Sequence, residues 1–264
     1  MNQQPNIVFI ISDHTNSQAL QPGSQCLTPN LDGLAAEGTR FNRCYTTNAI
    51  CSPARASLMT GLYPSTHGMW DCTHTQRAEW VDVPADRFTY LSHILSDAGY
   101  RNAYFGKWHV EQTNKLENFG WHEYDHTCRG GRGTPIPGTE VAVQTPGYKD
   151  HFFAATSPDD ETQTHPAYDL GIDFIKRHAG GDQPFCCFIS SIEPHDPYVA
   201  PKRFMDLYNL ESLQLSPTLR SEPAGKPEVI RRMRKVWDGM TDDDWRTVTA
   251  SDWAVRSNLD AAVG

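Results

Sequence analysis

Uninterrupted apolar runs constrain the fold of this chain more than any other feature. Ile7 to Ile11 is one such run, and the segment Phe185 to Ser191, which begins with five apolar residues, is predicted as a second buried strand. Runs of this length without polar alternation are typical of buried strands in a parallel sheet. Tyr100 to Phe105 is predicted as a third strand. Segments with helical spacing of apolar residues lie between these strands, and the alternation predicts a layered α/β fold.

The helices between the strands have recognisable first and last residues. Thr28 is predicted as an N-cap with Pro29 in the first turn, and this helix ends at Gly38. Three aspartates at 242–244 suit a helix start, because the helix dipole favours acidic residues there. Residues 126–166 are rich in glycine, proline and threonine and predict a long loop. Further predicted elements are helices at 88–98, 168–178 and 244–262 and a strand at 41–47.

The composition limits the classes of function. The chain has 264 residues, 38% of them hydrophobic, which is enough for one large α/β domain or a domain with an appendage. A net charge of −9 argues against nucleic acid as a partner, although a local cationic cluster can still bind an anionic substrate. No apolar run approaches about 20 residues, so no membrane partner is expected.

The amino terminus and the cysteines indicate the compartment. Residues 1–5 lead into the first strand without the basic and apolar regions of a signal peptide. A cytoplasmic location is therefore expected, unless an upstream export signal has been removed. The cysteines form no Cys-x-x-Cys pair, and the adjacent Cys186 and Cys187 suit apolar filling of a strand better than a redox pair. The seven cysteines lie at positions 26, 44, 51, 72, 128, 186 and 187.

The segment Cys51-Ser52-Pro53-Ala54-Arg55 combines a thiol, a helix start and an arginine. Pro53 suits the first helical position, and Ser52 is predicted as the N-cap. Residues four apart share a helical face, so Cys51 and Arg55 are both able to address a small anion at the helix start. This arrangement suits a nucleophile acting on a tetrahedral oxyanion. The alternative is a helix cap with a buried thiol and a surface arginine.

Four further polar residues follow the carboxyl ends of predicted strands. They are Asp13, Lys107, His109 and His195. Ligand sites in open α/β sheets lie at that edge, so these residues are candidates for one site.

The motifs around these residues resemble those of a known family. Cys51 to Arg55, followed by Thr60-Gly61, resembles the Cys-x-Pro-x-Arg signature of the type I, formylglycine-dependent sulfatases. Four other segments resemble family motifs in the family's order: 5–13, 28–35, 106–109 and 194–198. The resemblance implies the alkaline-phosphatase-like fold, a layered sheet with helices on both faces.

The resemblance also implies an activity and a modification. The implied activity is a sulfuric ester hydrolase that cleaves a small or carbohydrate sulfate ester. A maturation enzyme would oxidise Cys51 to formylglycine, an aldehyde that hydrates to a geminal diol. One hydroxyl would attack sulfur, and loss of the proton from the other would expel sulfate and restore the aldehyde. The alternative for Cys51 is an unmodified thiol.

A divalent metal ion is a further implication of the resemblance. Asp13 resembles the first of two adjacent acidic ligands, and hard cations such as calcium prefer oxygen ligands. His14 stands where the family usually has aspartate. Histidine suits transition metals better, which leaves the metal's identity open, with magnesium and manganese as alternatives to calcium. His14 is either a ligand or a residue that lines the pocket, and modified Cys51 completes the implied metal set.

The remaining implied roles belong to four residues. Arg55 would hold the modified residue or neutralise a carboxylate at the metal. Lys107 would bind a sulfate oxygen, and His109 would orient the diol or accept its proton. His195 would contact sulfate or protonate the leaving oxygen.

The resemblance covers the amino-terminal part of the family pattern. In the family, a strand ending in Asp-Asn or Asp-His and then a lysine follow a helix that resembles 254–264. Residues 1–264 are therefore expected to be an α/β domain that stops before the last metal-binding motif, with 126–166 as an excursion within it. Two alternatives remain: a phosphodiesterase or phosphonate monoester hydrolase on the same scaffold, and a catalytically inactive truncated domain.

Overall fold

The chain divides into two compact units. A computed structural model describes residues 4–73, 83–112, 115–127, 137–146, 152–159, 166–222 and 224–264. The first unit comprises Met1–His14, Thr39–Gly130 and His165–Ile192, and the second comprises Thr15–Gly38, Gly131–Thr164 and Glu193–Gly264.

The described elements alternate between helix and strand along much of the chain. The α-helices are α1 (Pro29–Glu37), α2 (Cys51–Thr60), α3 (Pro64–His67), α4 (Leu91–Asp97), α5 (Pro166–His178), α6 (Lys202–Met205), α7 (Glu228–Val236) and α8 (Asp242–Val263). The strands are β1 (Ile7–Ile11), β2 (Arg101–Gly106), β3 (Glu123–Asp125), β4 (Glu140–Gln144), β5 (Phe152–Ser157), β6 (Phe185–Ser190) and β7 (Tyr198–Pro201). Short 3-10 helices cover Ser17–Leu20, Leu116–Phe119 and Leu210–Ser212.

A parallel four-stranded sheet forms the first unit, in the order β1-β6-β2-β3. Phe9 of β1 and Tyr104 of β2 both lie opposite Phe188 of β6, and their rings stack on it with centroids 4.4 and 5.9 Å away. On the other face, Phe174 of α5 packs edge-on against Phe185. Because successive side chains of a strand point to opposite faces, β6 is covered on both sides and is buried along its whole length.

The strand predicted at Ile7 to Ile11 is confirmed, but its burial is not. Val8 is 46% exposed and Ile10 is 41% exposed, so one face of β1 is accessible. β1 lies at the edge of its sheet and pairs with β6 on one side. The apolar run therefore predicts the parallel strand correctly, but it wrongly predicts that both faces of β1 are buried.

The second unit contains a separate three-stranded sheet in the order β4-β5-β7. β4 and β5 are antiparallel, whereas β5 and β7 are parallel. Ala254 and Val255 of α8 pack against Ala200 of β7. The carboxylate of Asp260, also in α8, accepts the N–H groups of Asn30 and Leu31 at 3.1 and 2.8 Å.

Helix α1 has the bounds that the sequence predicts, but its amino-terminal cap differs from the prediction. Thr28 occupies the N-cap position, but its side chain makes no capping hydrogen bond. Asp260 of α8 supplies that acceptor instead, which a local sequence pattern cannot reveal. At the start of α8, Thr241 and Asp244 form the reciprocal bonds of a capping box, as expected for an acidic helix start.

Two other expectations differ from the structure. The segment 41–47, predicted as a strand, has no strand conformation, and Phe41 and Tyr45 are 78% and 85% exposed. These aromatic residues favour a strand only when a neighbour offers pairing and burial. The predicted loop at 126–166 contains strands β4 and β5, while its parts at 128–136, 147–151 and 160–165 lie outside the described residues.

Within the described ranges, no helix combines the length and the apolar character needed to cross a membrane.

Gly106, the last residue of β2, lies where β2 and β6 approach each other closely. Its φ is +99°, and a Cβ atom there would press against the carbonyl oxygen of Ser190. Gly99 has a similar φ of +90°, and a Cβ there would meet nothing within 4 Å. We expect Gly99→Ala to cost about 1–3 kcal/mol of unfolding free energy from strain alone. Gly106→Ala should cost more than about 4 kcal/mol, because a backbone clash is added.

Urea unfolding followed by the fluorescence of the buried Trp108 and Trp121 measures both variants. Equal losses in the two variants would show that the close approach of Gly106 to Ser190 contributes nothing.

Candidate active site

The carboxyl ends of three strands lie level with one another in the first unit. Ile11 of β1 and Gly106 of β2 are both in register with Ser190 of β6. Lys107 N–H donates to the Ser190 carbonyl at 2.8 Å, and Ser191 N–H donates to the Ile11 carbonyl at 3.0 Å. The residues that follow β1 and β2 therefore emerge at the same edge of the sheet.

Asp13 and Lys107 form a buried ion pair at this edge. The ammonium group of Lys107 donates to Oδ2 of Asp13. Both residues are nearly inaccessible, with 8% of Asp13 and 5% of Lys107 exposed. A buried ion pair of this kind contributes little net folding stability when it is intact. Removing one partner is strongly destabilising, because the other charge is left buried and unpaired.

The carbonyl oxygen of Lys107 accepts three hydrogen bonds. Its donors are Nη1 of Arg55 at 2.7 Å, the hydroxyl of Tyr104 at 2.6 Å and the hydroxyl of Ser190 at 2.8 Å. The same Arg55 nitrogen also donates to the Ser190 hydroxyl oxygen at 2.8 Å. Burial raises the pKa of Tyr104, so its hydroxyl keeps the proton that it donates. These bonds join α2, β2 and β6.

Cys51 lies in the first turn of α2. The N-cap is Ile50, so Cys51 is the first helical residue, and the predicted N-cap Ser52 and first residue Pro53 each lie further inside the helix. Ser52 is buried, and its hydroxyl accepts the N–H of Thr73 at 3.2 Å. Cys51 therefore lies at the positive end of the helix dipole, and this position favours a bound anion.

The thiol of Cys51 contacts the thiol of Cys72. Their sulfur atoms are 3.3 Å apart, and both residues are partly exposed. Burial and the contact with Cys51 raise the pKa of Cys72 to about 12. Cys72 therefore carries its proton at neutral pH.

Two histidines near the strand ends have left-handed backbone conformations. His14 has φ +65° and His109 has φ +56°, and among the described residues they alone combine a side chain with positive φ. Such strain concentrates at functional sites, where the surrounding structure holds it. The side chain of His14 is exposed, and that of His109 is half-buried.

Comparison with known proteins identifies the family. The model of the sulfatase family matches residues 5–263. The chain belongs to the sulfatase family.

Its sequence is similar to that of two curated sulfatases. It is 30% identical over 253 residues to the uncharacterized sulfatase YidJ of Escherichia coli, covering 92% of this chain and 49% of YidJ. It is 23% identical over 262 residues to an N-acetylglucosamine-6-O-sulfatase of Bacteroides thetaiotaomicron, covering 92% of this chain and 40% of that enzyme. The chain thus spans about half or less of the length of these relatives.

Solved structures share the fold. A sulfatase yidJ from Bacteroides fragilis aligns with a TM-score of 0.65 at 23% identity, over all of this chain and 57% of that one. A phosphonate monoester hydrolase of Agrobacterium radiobacter also gives 0.65, at 18% identity, over 99% of this chain and 58% of its own. The sulfatase chain therefore has the α/β fold of the alkaline-phosphatase-like enzymes, as the family resemblance implies.

His195, the last predicted site residue, belongs to the second unit and is described there. Its Nδ1 lies 2.7 Å from the carbonyl oxygen of Asp196 and 3.5 Å from the Asp196 carboxylate. A carbonyl oxygen can only accept, so Nδ1 carries a proton and the neutral ring has its lone pair on Nε2. This tautomer suits a group that exchanges a proton through Nε2.

The described residues do not form a complete metal site by themselves. Across these parts of the chain, no group of three or more histidine, cysteine, aspartate or glutamate residues converges. The Asp13 carboxylate is also held by Lys107. Calcium takes six to eight oxygen ligands, so this donor set falls short of its shell. The assignment of Asp13, His14 and Cys51 to a metal stays a prediction.

Sequence reasoning missed three contacts of the site. The sequence places Tyr104 and Ser190 in strands and predicts no part for them in the site, although a polar serine directly after the apolar residues 185–189 is a signal. Cys72 gave no signal, because it lies 21 residues from Cys51 and in no motif. The side chain of Arg55, predicted to face an anion, is buried against Lys107, Tyr104 and Ser190.

Asp13→Asn tests the buried ion pair. The substitution keeps the shape and leaves the Lys107 ammonium without its counter-charge, so we expect a loss of about 3–5 kcal/mol of unfolding free energy. Replacing both partners, Asp13→Asn with Lys107→Met, should recover part of that loss. Asp97→Asn, at an exposed site in the same unit, should stay within about 0.5 kcal/mol of the original. Urea unfolding decides, and a loss in Asp13→Asn as small as the control would contradict the pairing.

Arg55→Lys tests the bonds to the Lys107 carbonyl. Lysine keeps the positive charge but lacks the planar fork, so one or more of three buried acceptors loses its donor. We expect about 1–3 kcal/mol of destabilisation in the same unfolding assay. The matched control is Arg43→Lys at an exposed position. If both variants unfold at the same urea concentration, the guanidinium has no structural part.

Proposed function

We propose that this chain carries the nucleophile of a sulfuric ester hydrolase that cleaves a small or carbohydrate sulfate ester. The observation that carries the proposal is the position of Cys51, partly exposed at the first residue of α2, within a sulfatase chain. Because the chain spans about half the length of its relatives, the activity of a whole sulfatase is part of the proposal and not a finding.

The start of α2 fits a nucleophile that works on an anion. The N–H groups of a first helical turn and the positive end of the dipole attract a tetrahedral anion such as sulfate. Conversion of Cys51 to formylglycine by a maturation enzyme would supply an aldehyde, whose chemistry allows attack on sulfur. The thiol is partly exposed, which gives that enzyme access to it.

Lys107 supplies the positive charge for a sulfate oxygen. Its ammonium group is fixed by Asp13, and its backbone is fixed by the donors on its carbonyl oxygen. A charge held in place before substrate binds needs little reorganisation when negative charge develops in the transition state. Arg55 acts through this backbone and is a positioning residue.

His109 is proposed to move a proton. It follows Lys107 by two residues and would accept a proton from the nucleophile. His195 has its Nδ1 proton directed to the Asp196 carbonyl, which leaves Nε2 as the ring atom able to exchange a proton, and its part in catalysis stays a prediction of the family resemblance. The described donor set does not complete a metal shell.

A named relative supports the proposed substrate class. One similar protein is an N-acetylglucosamine-6-O-sulfatase, so a sulfate ester of a sugar is the first class to test. The rival is a phosphonate monoester, because an enzyme of that activity shares the fold. Sulfate and phosphonate esters have similar tetrahedral centres and both need cationic partners.

One experiment separates these activities. The protein is produced together with a formylglycine-forming enzyme, and the mass of the tryptic peptide 44–55 is measured by mass spectrometry. Conversion of Cys51 lowers its mass by about 18 Da when the aldehyde is unhydrated. We expect a higher kcat/KM for an aryl sulfate than for an aryl phosphonate monoester, and a loss of at least about 10³-fold in Cys51→Ala. Cys44→Ala, at an exposed cysteine, is the control and should keep the activity.

Each other result has a defined meaning. A higher kcat/KM for the phosphonate would make the rival the better description. An unmodified thiol with no turnover of either ester would identify the chain as a catalytically inactive domain.

A further inference from the structure

The contact between Cys51 and Cys72 has no part in the proposed hydrolysis. Their sulfur atoms lie 3.3 Å apart. The other described cysteines differ from this pair, because Cys26, Cys186 and Cys187 are buried and Cys44 is exposed. Cys51 and Cys72 are therefore both partly accessible and in direct contact.

Hydrogen bonds beside both cysteines hold them in this arrangement. The N–H of Thr73 donates to the Ser52 hydroxyl at 3.2 Å, which ties the residue after Cys72 to the residue after Cys51. The carbonyl of Thr73 accepts from the side-chain amide of Gln112 at 2.5 Å. A disulfide needs its sulfur atoms about 2.05 Å apart, so the pair must close by only about 1.3 Å. Rotation of the two side chains supplies a movement of that size.

We propose that Cys51 and Cys72 form a reversible disulfide, and that this modification withholds Cys51 from conversion to formylglycine. The disulfide itself rests on the geometry alone, whereas its effect on maturation rests on the proposed function. In the oxidised form the Cys51 sulfur is bonded to Cys72, so a maturation enzyme meets no thiol. In the reduced form the thiol is available.

A low-molecular-weight disulfide such as oxidised glutathione is the oxidant. The Cys51 thiolate attacks one sulfur of this disulfide and releases one molecule of its thiol. The Cys72 thiol then loses its proton to solvent as its sulfur attacks the Cys51 sulfur of the mixed disulfide and expels the second molecule. In total, two protein thiols lose two protons and two electrons, and the small disulfide becomes two thiols.

Peptide mapping tests the bond on the full chain made without a maturation enzyme. The protein is incubated with oxidised glutathione, its free thiols are alkylated, and it is digested without reductant. Trypsin leaves Cys44 and Cys51 together in peptide 44–55 and Cys72 in peptide 56–77, so chymotrypsin is added to cut after Tyr45. We expect a cross-linked pair that contains Cys51 and Cys72 and that dithiothreitol separates.

Two variants serve as controls for the mapping. Cys44→Ser should give the same cross-link as the original chain. Cys72→Ser should give none and should carry glutathione on Cys51 instead. The bond is refuted if the original chain holds Cys51 as a glutathione adduct only, or if Cys72 pairs with Cys44 or Cys128. Cys128 lies outside the described residues.

A second arm tests the effect on maturation. Oxidised and reduced samples are offered to a formylglycine-forming enzyme, and peptide 44–55 is quantified after final reduction. We expect conversion of the original chain to fall at least about tenfold on oxidation, since no thiolate is left to react. Cys51 in Cys72→Ser, freed from glutathione by mild reductant, should convert equally in both samples.

The peptide mapping and the maturation assay can refute their parts of the proposal independently. If the cross-link forms but oxidation leaves conversion unchanged, the withholding of Cys51 is refuted and the disulfide stands. If reduced samples of every variant stay unconverted, the formylglycine proposal fails, and with it the effect on maturation, while the mapping still decides the disulfide.

Discussion

The three hydrogen bonds to the carbonyl oxygen of Lys107 are the contact on which the first unit's candidate site depends. Arg55, Tyr104 and Ser190 come from a helix and two strands, and each places a donor on the same atom. Buried polar groups are costly when unpaired, so the members of such a cluster stabilise one another only when all are present. The direction in which the chain leaves β2 is therefore set by α2 and β6.

This fixed direction determines where the charges of the site lie. Asp13 follows β1 and Lys107 follows β2, and the strand between them, β6, brings both to one edge. Their pair is buried, where opposite charges attract more strongly than in water. In the proposed hydrolase, a sulfate ester would share the Lys107 ammonium with Asp13.

The sequence predicts the part of this arrangement that depends on strand periodicity. Apolar runs locate β1 and β6, the strand predicted at 100–105 corresponds to β2, and the rule for parallel sheets places Asp13 and Lys107 at one edge. It could not predict the partners of Arg55, because Tyr104 and Ser190 lie far along the chain and carry no charge. It also misplaced a strand at 41–47, since aromatic residues indicate strand preference but do not identify a pairing neighbour.

The backbone is strained at His14 and His109, which follow the two strands that end at this edge of the sheet. His14 follows Asp13 directly, and His109 lies two residues after Lys107, so each strained residue lies beside a member of the ion pair. A left-handed residue turns the chain sharply, which ends the extended path just after the charged side chain has been placed. Such a conformation costs about 1–3 kcal/mol and persists only where other contacts hold it. The bonds to the Lys107 carbonyl fix the backbone two residues before His109. The geometry of the edge thus comes from backbone conformation that residue types alone do not specify.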